Sequence, residues 1–231
     1  MRVKWVLFAL ALIAIILWRL PWDRYFAIKT IVIESGERMA AETLQNLIDI
    51  RAGDSLFGVD LKAARQKLLG QAWVRDAKLS RRFLSRSLKV EIIEREPFGV
   101  VFAKGRYLLL DREGFVLERL KDKPPLFISG IETVETPRGE RLKSDQAIRA
   151  LQDFFSFDHR VLAQFTELRL NGDGEAVLLA GVGFKVLLKV ERMRESLRTL
   201  ERLLKTINAS KYSYMDLRFE KEVILMPRPY N

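Results

Sequence analysis

Ala27–Gly36 reads AIKTIVIESG, and from there to Pro97 the hydrophobic period switches between that of a strand and that of a helix. Ile28, Ile31 and Ile33 lie in a β-branched run stopped by Gly36, which is the pattern of a strand. Met39, Leu44, Leu47 and Ile48 then recur at helical spacing and close before Gly53. Asp60 suits the N-cap of a second helix that carries Leu61, Ala64, Leu68 and Leu69 and ends at Gly70. Two further strands are expected, Val74–Arg82 and Leu88–Glu94. The order β-α-α-β-β predicts an open sheet with both helices on one face.

Pro97 marks a boundary, so the reading outward gives a first module at 26–96 and a second at 97–231. In the second, Val100–Lys104, Tyr107–Leu110, Phe115–Leu117, Leu126–Ile128, Leu168–Leu170, Ala176–Leu179 and Phe184–Leu188 read as short strands. Asp111–Gly114 and Asn171–Gly174 supply the turn residues between neighbours. A helix is expected at Ser144–Phe155 with Ser144 as its cap. A longer one is expected from about Lys189 to Lys205, with Val190, Met193, Leu197, Leu200 and Leu204 on one face. Tyr214–Phe219 and Val223–Met226 close the chain as a hairpin, and Pro227 and Pro229 can donate to no further ladder. The class is α+β, the second module being mostly antiparallel sheet with two helices.

On the other side of Ala27, Trp5–Trp18 is a run of fourteen residues without a charge. It falls short of the roughly 20 apolar residues a spanning helix needs. Lys4 and Arg19 can extend their stems to the headgroups, and Trp5, Trp18, Trp22 and Tyr25 mark the two interfaces. We therefore expect a membrane anchor at 5–22 behind a cytoplasmic tail of residues 1–4. A cleaved signal peptide is the competing reading, and no small-residue cleavage site follows the run. The remainder of the chain would lie outside the cytoplasm.

Composition narrows the chemistry. The 231 residues are 48% apolar and carry a formal charge of +10, with no cysteine and one histidine, His159. That inventory leaves no thiolate nucleophile, no disulfide framework and no Cys- or His-rich zinc site. Asn171, Asp173 and Glu175 open like a calcium loop, but Ala176 and Val182 occupy its later ligand positions. Asp111 and Glu113 fall in a hairpin loop rather than a cleft. No active site and no cofactor is expected, and nucleic-acid motifs and a small-molecule site are missing.

Two surfaces invite a partner. Arg75–Lys89 holds six basic residues against one acidic, including Arg75, Lys78, Arg81 and Arg82. It reads either as a surface for an acidic partner or as a strand edge protected by charge. The last strand, Val223–Leu225, is apolar at three consecutive positions, as if both faces become covered. It is either an ordinary strand paired on both sides or an open edge that accepts a further strand.

Taken in order, several motifs resemble the bacterial FtsQ/DivIB division family. They are Ile28–Gly36, Gly53-Asp-Ser-Leu56, Val59-Asp-Leu61, Trp73-Val74, Glu94-Arg95-Glu96-Pro97, Tyr107-Leu-Leu-Leu-Asp-Arg-Glu-Gly114, Pro125-Leu-Phe-Ile-Ser-Gly130 and Tyr214-Met-Asp-Leu-Arg218. The chain departs from the family at Phe83-Leu84, where an aromatic-Pro pair is usual, at the Glu220–Glu222 turn, and at Pro227. The resemblance implies a POTRA domain at 26–96, an FtsQ-type β domain at 97–231 and a non-catalytic scaffold of the divisome. By position, Phe219, Glu220, Lys221, Glu222, Val223, Ile224 and Leu225 would bind FtsB, itself paired with FtsL, and thereby act on FtsW and FtsI. The basic POTRA surface would help place the protein at the septum of the inner membrane, with FtsK a further partner. A POTRA-bearing component of a secretion or membrane-assembly machine is the alternative, although it would usually show repeated modules or a following barrel. An anchored cell-wall enzyme would need poised carboxylates or a nucleophile with its base. Proline at Val223 is expected to abolish FtsB capture.

Overall fold

The computed structural model describes residues 25–229 except Val182, and these form two units, each with its own apolar core. The anchor expected at 5–22, with Trp5, Trp18, Arg19 and Trp22, lies outside the described residues. Among those described, no helix is long and apolar enough to cross a membrane.

Among the described residues, the first unit takes up 25–69 and 74–94. Its elements are Thr30–Glu34 (β1), Ala41–Ile48 (α1), Leu61–Leu69 (α2), Val74–Arg82 (β2) and Ser87–Glu94 (β3). The three strands lie in the order β1-β3-β2, with β3 parallel to β1 and antiparallel to β2. Leu44 and Ile48 of α1, Ala64 and Leu68 of α2, and Val74, Ala77, Leu88 and Val90 of the sheet close the core. Asp60 caps α2 as expected: the Lys62 and Ala63 N–H groups both donate to its Oδ1 at 2.9 Å. Such a cap stabilises a helix by about 1 kcal/mol. Glu94 performs a less visible task. Its carboxylate accepts from the Arg38 and Met39 N–H groups, at 3.3 and 3.1 Å, and packs so tightly on Gly36 that a Cβ there would sit 2.4 Å from Oε2. Two motif residues 58 positions apart thus hold one loop.

Among the described residues, the second unit spans 95–229 together with 70–73. Along the chain it contains Pro97–Ala103 (β4), Arg106–Asp111 (β5), Val116–Leu120 (β6), Phe127–Ser129 (β7), Thr133–Thr136 (β8) and Gly139–Leu142 (β9). There follow Asp145–Phe155 (α3), His159–Leu162 (α4), Phe165–Leu170 (β10), Glu175–Ala180 (β11), Lys185–Lys189 (β12), Met193–Leu204 (α5), Tyr212–Asp216 (β13) and Ile224–Pro227 (β14). Among the described residues nine strands make one sheet in the order β14-β13-β12-β11-β10-β7-β4-β5-β6. Five of the eight neighbouring pairs are antiparallel. β7 runs parallel to both β10 and β4, and β12 runs parallel to β13. Ala147, Ile148, Leu151 and Phe154 of α3, with Met193, Leu197 and Leu200 of α5, bury the helical faces against the sheet. Ser144 caps α3, accepting from the Ala147 N–H at 3.4 Å.

Three local features depart from the sequence reading. The small hairpin β8–β9 was not expected, because TVET and GERL offer few apolar residues to signal a strand. The long helix starts a turn late, since Val190–Arg192 winds as a 3-10 segment before α5. His159 and its neighbours form the short helix α4, capped by Asp158, and His159 is exposed.

Arg95 and Asp111, from two different motifs, meet in the interior. Arg95 is 1% exposed, and its Nη1 donates to Asp111 Oδ2 at 2.5 Å and to Glu113 Oε2 at 3.4 Å. Asp111 Oδ1 accepts from the Glu113 and Phe115 N–H groups, closing the turn that Gly114 completes at φ +83°. The guanidinium lies 3.9 Å above the Phe115 ring. Gly130 is obligatory for another reason: at φ +75° a Cβ there would fall 2.0 Å from the Leu170 carbonyl oxygen.

Candidate functional site

The chain reaches the open end of the large sheet through Tyr214-Met-Asp-Leu-Arg218. β13 pairs with β14 in the register Met215 opposite Leu225 and Asp216 opposite Ile224. Met215 is fully buried and Leu225 packs on the core, whereas Ile224 and Met226 are 42% and 45% exposed on the other face. Among the described residues β14 has β13 as its one neighbour, so the far side of its backbone presents N–H and C=O groups outward. β14 is thus an edge strand among the described residues, with Ile224 and Met226 uncovered on its outer face.

The last strand starts one residue later than expected, so Val223 lies outside the ladder and proline there removes none of its donors. Phe219, Glu220, Lys221, Glu222 and Val223 belong to the connecting loop, and Ile224 and Leu225 alone of the expected binding residues lie on β14. The loop stands beside α5. Arg192 Nη1 pairs with Glu220 Oε1 at 3.3 Å, and Ser196 Oγ donates to the Leu217 carbonyl at 3.4 Å. Between them a groove of ≈ 240 Å³ is lined by Arg192, Ser196, Thr199, Phe219, Glu220 and Val223, among others. Phe219 and Val223 are exposed, so an apolar surface runs from the groove along the outer face of β14.

Arg218 holds this edge in place. Its Nη1 donates to both oxygens of Glu175 on β11 at 2.8 Å, and its Nε and Nη2 donate to Asp216 on β13. One guanidinium thus spans β12 and fixes β13, and with it β14, to the body of the sheet. Burial pushes the Asp216 carboxyl up, but the Arg218 hydrogen bonds and charge outweigh it and hold the group below the ordinary carboxylate range. Arg218 is correspondingly raised, chiefly by its hydrogen bonds to Asp216 and Glu175. Ser213 Oγ donates to the Met226 carbonyl and the Arg228 N–H to the Lys211 carbonyl, which pins the register of the last strand. The tyrosine-x-Asp-Leu-Arg pattern signalled a motif, and the structure gives its physical content.

The basic cluster of the first unit is less uniform than its sequence. Arg75, Lys78 and Arg82 are exposed. Arg81 is turned inward: its Nε donates to the Leu56 carbonyl at 2.6 Å and its Nη2 to the Val59 carbonyl at 2.7 Å. It braces the loop before α2 and is not an open cation for a partner. Lys89 is held between Glu34 and Glu91. Among the described residues no group of three or more His, Asp or Glu side chains is placed to hold a metal ion.

Comparison with known proteins adds a family. Residues 26–95 match the model of the FtsQ-type POTRA domain, and residues 99–218 match that of the C-terminal region of cell division protein FtsQ/DivIB. The cell division protein FtsQ of Rickettsia bellii is 20% identical over 195 residues, covering 84% of this chain and 69% of that one. The FtsQ of Geotalea daltonii is 24% identical over 210 residues, covering 87% and 76%. Among solved structures, the major extracytoplasmic domain of the division protein DivIB from Geobacillus stearothermophilus covers 50% of this chain and 99% of its own, with 13% identity and a TM-score of 0.36.

Proposed function

The chain belongs to the FtsQ/DivIB family of cell division proteins, and from that membership we propose that it is a non-catalytic scaffold of the inner-membrane divisome. Residues 5–22 anchor it, with the N-terminus cytoplasmic and the bulk periplasmic. The POTRA domain, 26–96, helps place it at the septum through Arg75, Lys78 and Arg82, with FtsK a further partner. The β domain, 97–231, captures the FtsB–FtsL pair and through it influences septal peptidoglycan synthesis by FtsW and FtsI. Anchoring all these proteins in one plane raises their effective concentration for one another.

The observation that carries the reading is β14, an edge strand with an open backbone and with Ile224 and Met226 exposed on one face. An incoming strand would take its affinity from main-chain hydrogen bonds and its specificity from side chains such as Phe219 and Ile224. The test is capture of co-expressed FtsB and FtsL by the full chain, compared with Ile224→Glu combined with Met226→Glu. Both glutamates point away from the core, so the fold survives while the apolar contact is lost. At least roughly 2 kcal/mol, or about thirtyfold in affinity, should disappear. Normal capture by the folded double variant would move the interface elsewhere, and failure of the parent chain to bind would overturn the partner assignment.

A further inference from the structure

The first unit carries an apolar cluster that extends outward from its core through Phe26. The rings of Phe26, Phe57 and Phe83 form a triangle with centroids 5.2, 5.8 and 5.0 Å apart. Phe57 and Phe83 are exposed, Tyr25 is 60% exposed, and Leu84 projects fully into solvent at 106%. These residues come from three places in the chain: the entry to β1, the loop before α2, and the turn between β2 and β3. The register brings them together. Thr30 opposes Ser87, and Arg82 also opposes Ser87, so the start of β1 and the β2–β3 turn share one end of the sheet. Arg86 Nη1 donates to the Tyr25 carbonyl at 3.2 Å and ties the entry segment to that turn.

That end is also where the chain arrives from the segment proposed above as the anchor. Phe26 is four steps along the chain from Trp22, and a fully extended chain covers at most about 3.6 Å per step, so Phe26 lies within roughly 14 Å of the anchor's end. We propose that Tyr25, Phe57, Phe83 and Leu84 dip into the outer face of the lipid bilayer, seating the first unit on the membrane surface. The proposal rests on the anchor reading and adds a second, peripheral contact to it. Aromatic rings and an exposed leucine suit the interfacial zone, where Tyr and Phe bury an apolar body beside the headgroups. Arg82 is exposed and Arg86 partly so on either side of Phe83–Ser85, placed to meet anionic headgroups. A soluble monomer gains nothing from a fully exposed leucine beside exposed phenylalanines, whereas a lipid surface gives each of them a burial site. Seating would restrict how the unit swings about its tether.

The chain contains no cysteine, so one introduced thiol reports from one position. Nitroxide labels on Leu84→Cys, on Phe57→Cys and on the control Lys62→Cys are placed in the full chain in phosphatidylethanolamine–phosphatidylglycerol vesicles. Collisions with oxygen and with a water-soluble nickel complex are then compared. At 84 and 57 the nickel complex should be excluded several-fold relative to 62 while oxygen access rises, at a depth of roughly 5–10 Å. Phe83→Asp should restore nickel access at 57. Alkaline extraction of the same vesicles separates the two readings. A chain that resists extraction but shows water-like labels at 84 and 57 keeps its anchor and overturns the seating. A chain that is extracted overturns the anchor, and the seating with it. A label shielded from both colliders would reveal a protein cover and equally overturn it.

Discussion

Two arginines of the β-rich unit each grip an aspartate, and they do so under opposite conditions. Arg95 is enclosed, with Nη1 on Asp111 and its ring-facing side on Phe115, while its Nε and Nη2 find no hydrogen-bond partner among the described residues. Arg218 is 28% exposed and uses its whole fork, on Asp216 and on both oxygens of Glu175. The enclosed pair is the one whose disruption leaves a stranded charge. The outer clamp is the one that decides where β13 and β14 sit. The contrast assigns stability to the first and presentation of the sheet edge to the second.

The contrast breaks most easily at Asp111. Asp111→Ala leaves the buried Arg95 charge with only the longer contact to Glu113, and removing one partner of such a pair costs about 3–5 kcal/mol. For a domain of this size that lowers the thermal midpoint by on the order of 10 °C, readable by circular dichroism. Replacing both partners with apolar residues, Arg95→Met with Asp111→Leu, should cost much less, because no charge is stranded. A single variant as stable as the parent would show that Glu113 and the Phe115 ring suffice to hold Arg95.

Arg218→Ala sharpens the other half. Discounted for its exposure, loss of the clamp should cost only about 1–2 kcal/mol of stability. Capture of the FtsB–FtsL pair should suffer more than that figure implies, since β14 hangs on β13. If binding falls no further than folding does, the clamp is merely structural. Arg81→Gln and Lys78→Gln give a smaller version of the same contrast in the first unit. Arg81 braces two carbonyls, so its loss should lower the midpoint by a few degrees. Lys78 is exposed and its loss should leave the midpoint unchanged while any role in septal placement is read by fluorescence microscopy. Equal midpoints would return Arg81 to the surface cations.

How far these features could be read in advance follows from their range in sequence. The first unit was legible because its signals are local: β-branched Thr30–Glu34, the Asp60 cap and the Gly70 stop lie beside the elements they define. The edge position of β14 was not, since Val223–Leu225 reads equally well as a covered strand, and only the sheet order shows one neighbour. Leu217–Phe219 and Val223 looked like strand because Phe and Val favour it, yet the ladder from Met215–Leu225 outward ends at Asp216–Ile224. Arg81 looked like one cation among six, and its two carbonyl partners lie 25 and 22 residues away. The Arg95–Asp111 pair and the triangle of Phe26, Phe57 and Phe83 are likewise products of topology, invisible to any local pattern.

The smallest expected effect isolates the charge of the outer clamp. The Asp216 carboxyl is held below its ordinary value of 3.8 in the folded chain, so the unfolded chain binds its proton more readily. Its ionised form therefore contributes stability in full above about pH 4, and that contribution fades as pH falls through the lower, folded value. Asp216→Asn removes the ionised form altogether. At neutral pH the variant should melt below the parent, and the gap should narrow steadily once pH drops under 3.8. Glu175 supplies the other carboxylate to Arg218 and survives in the variant, so the clamp loosens without opening. A gap that stays constant down to the acid limit would mean that the Asp216 side chain acts by shape and hydrogen bonding, and that Glu175 alone carries the electrostatic grip on Arg218.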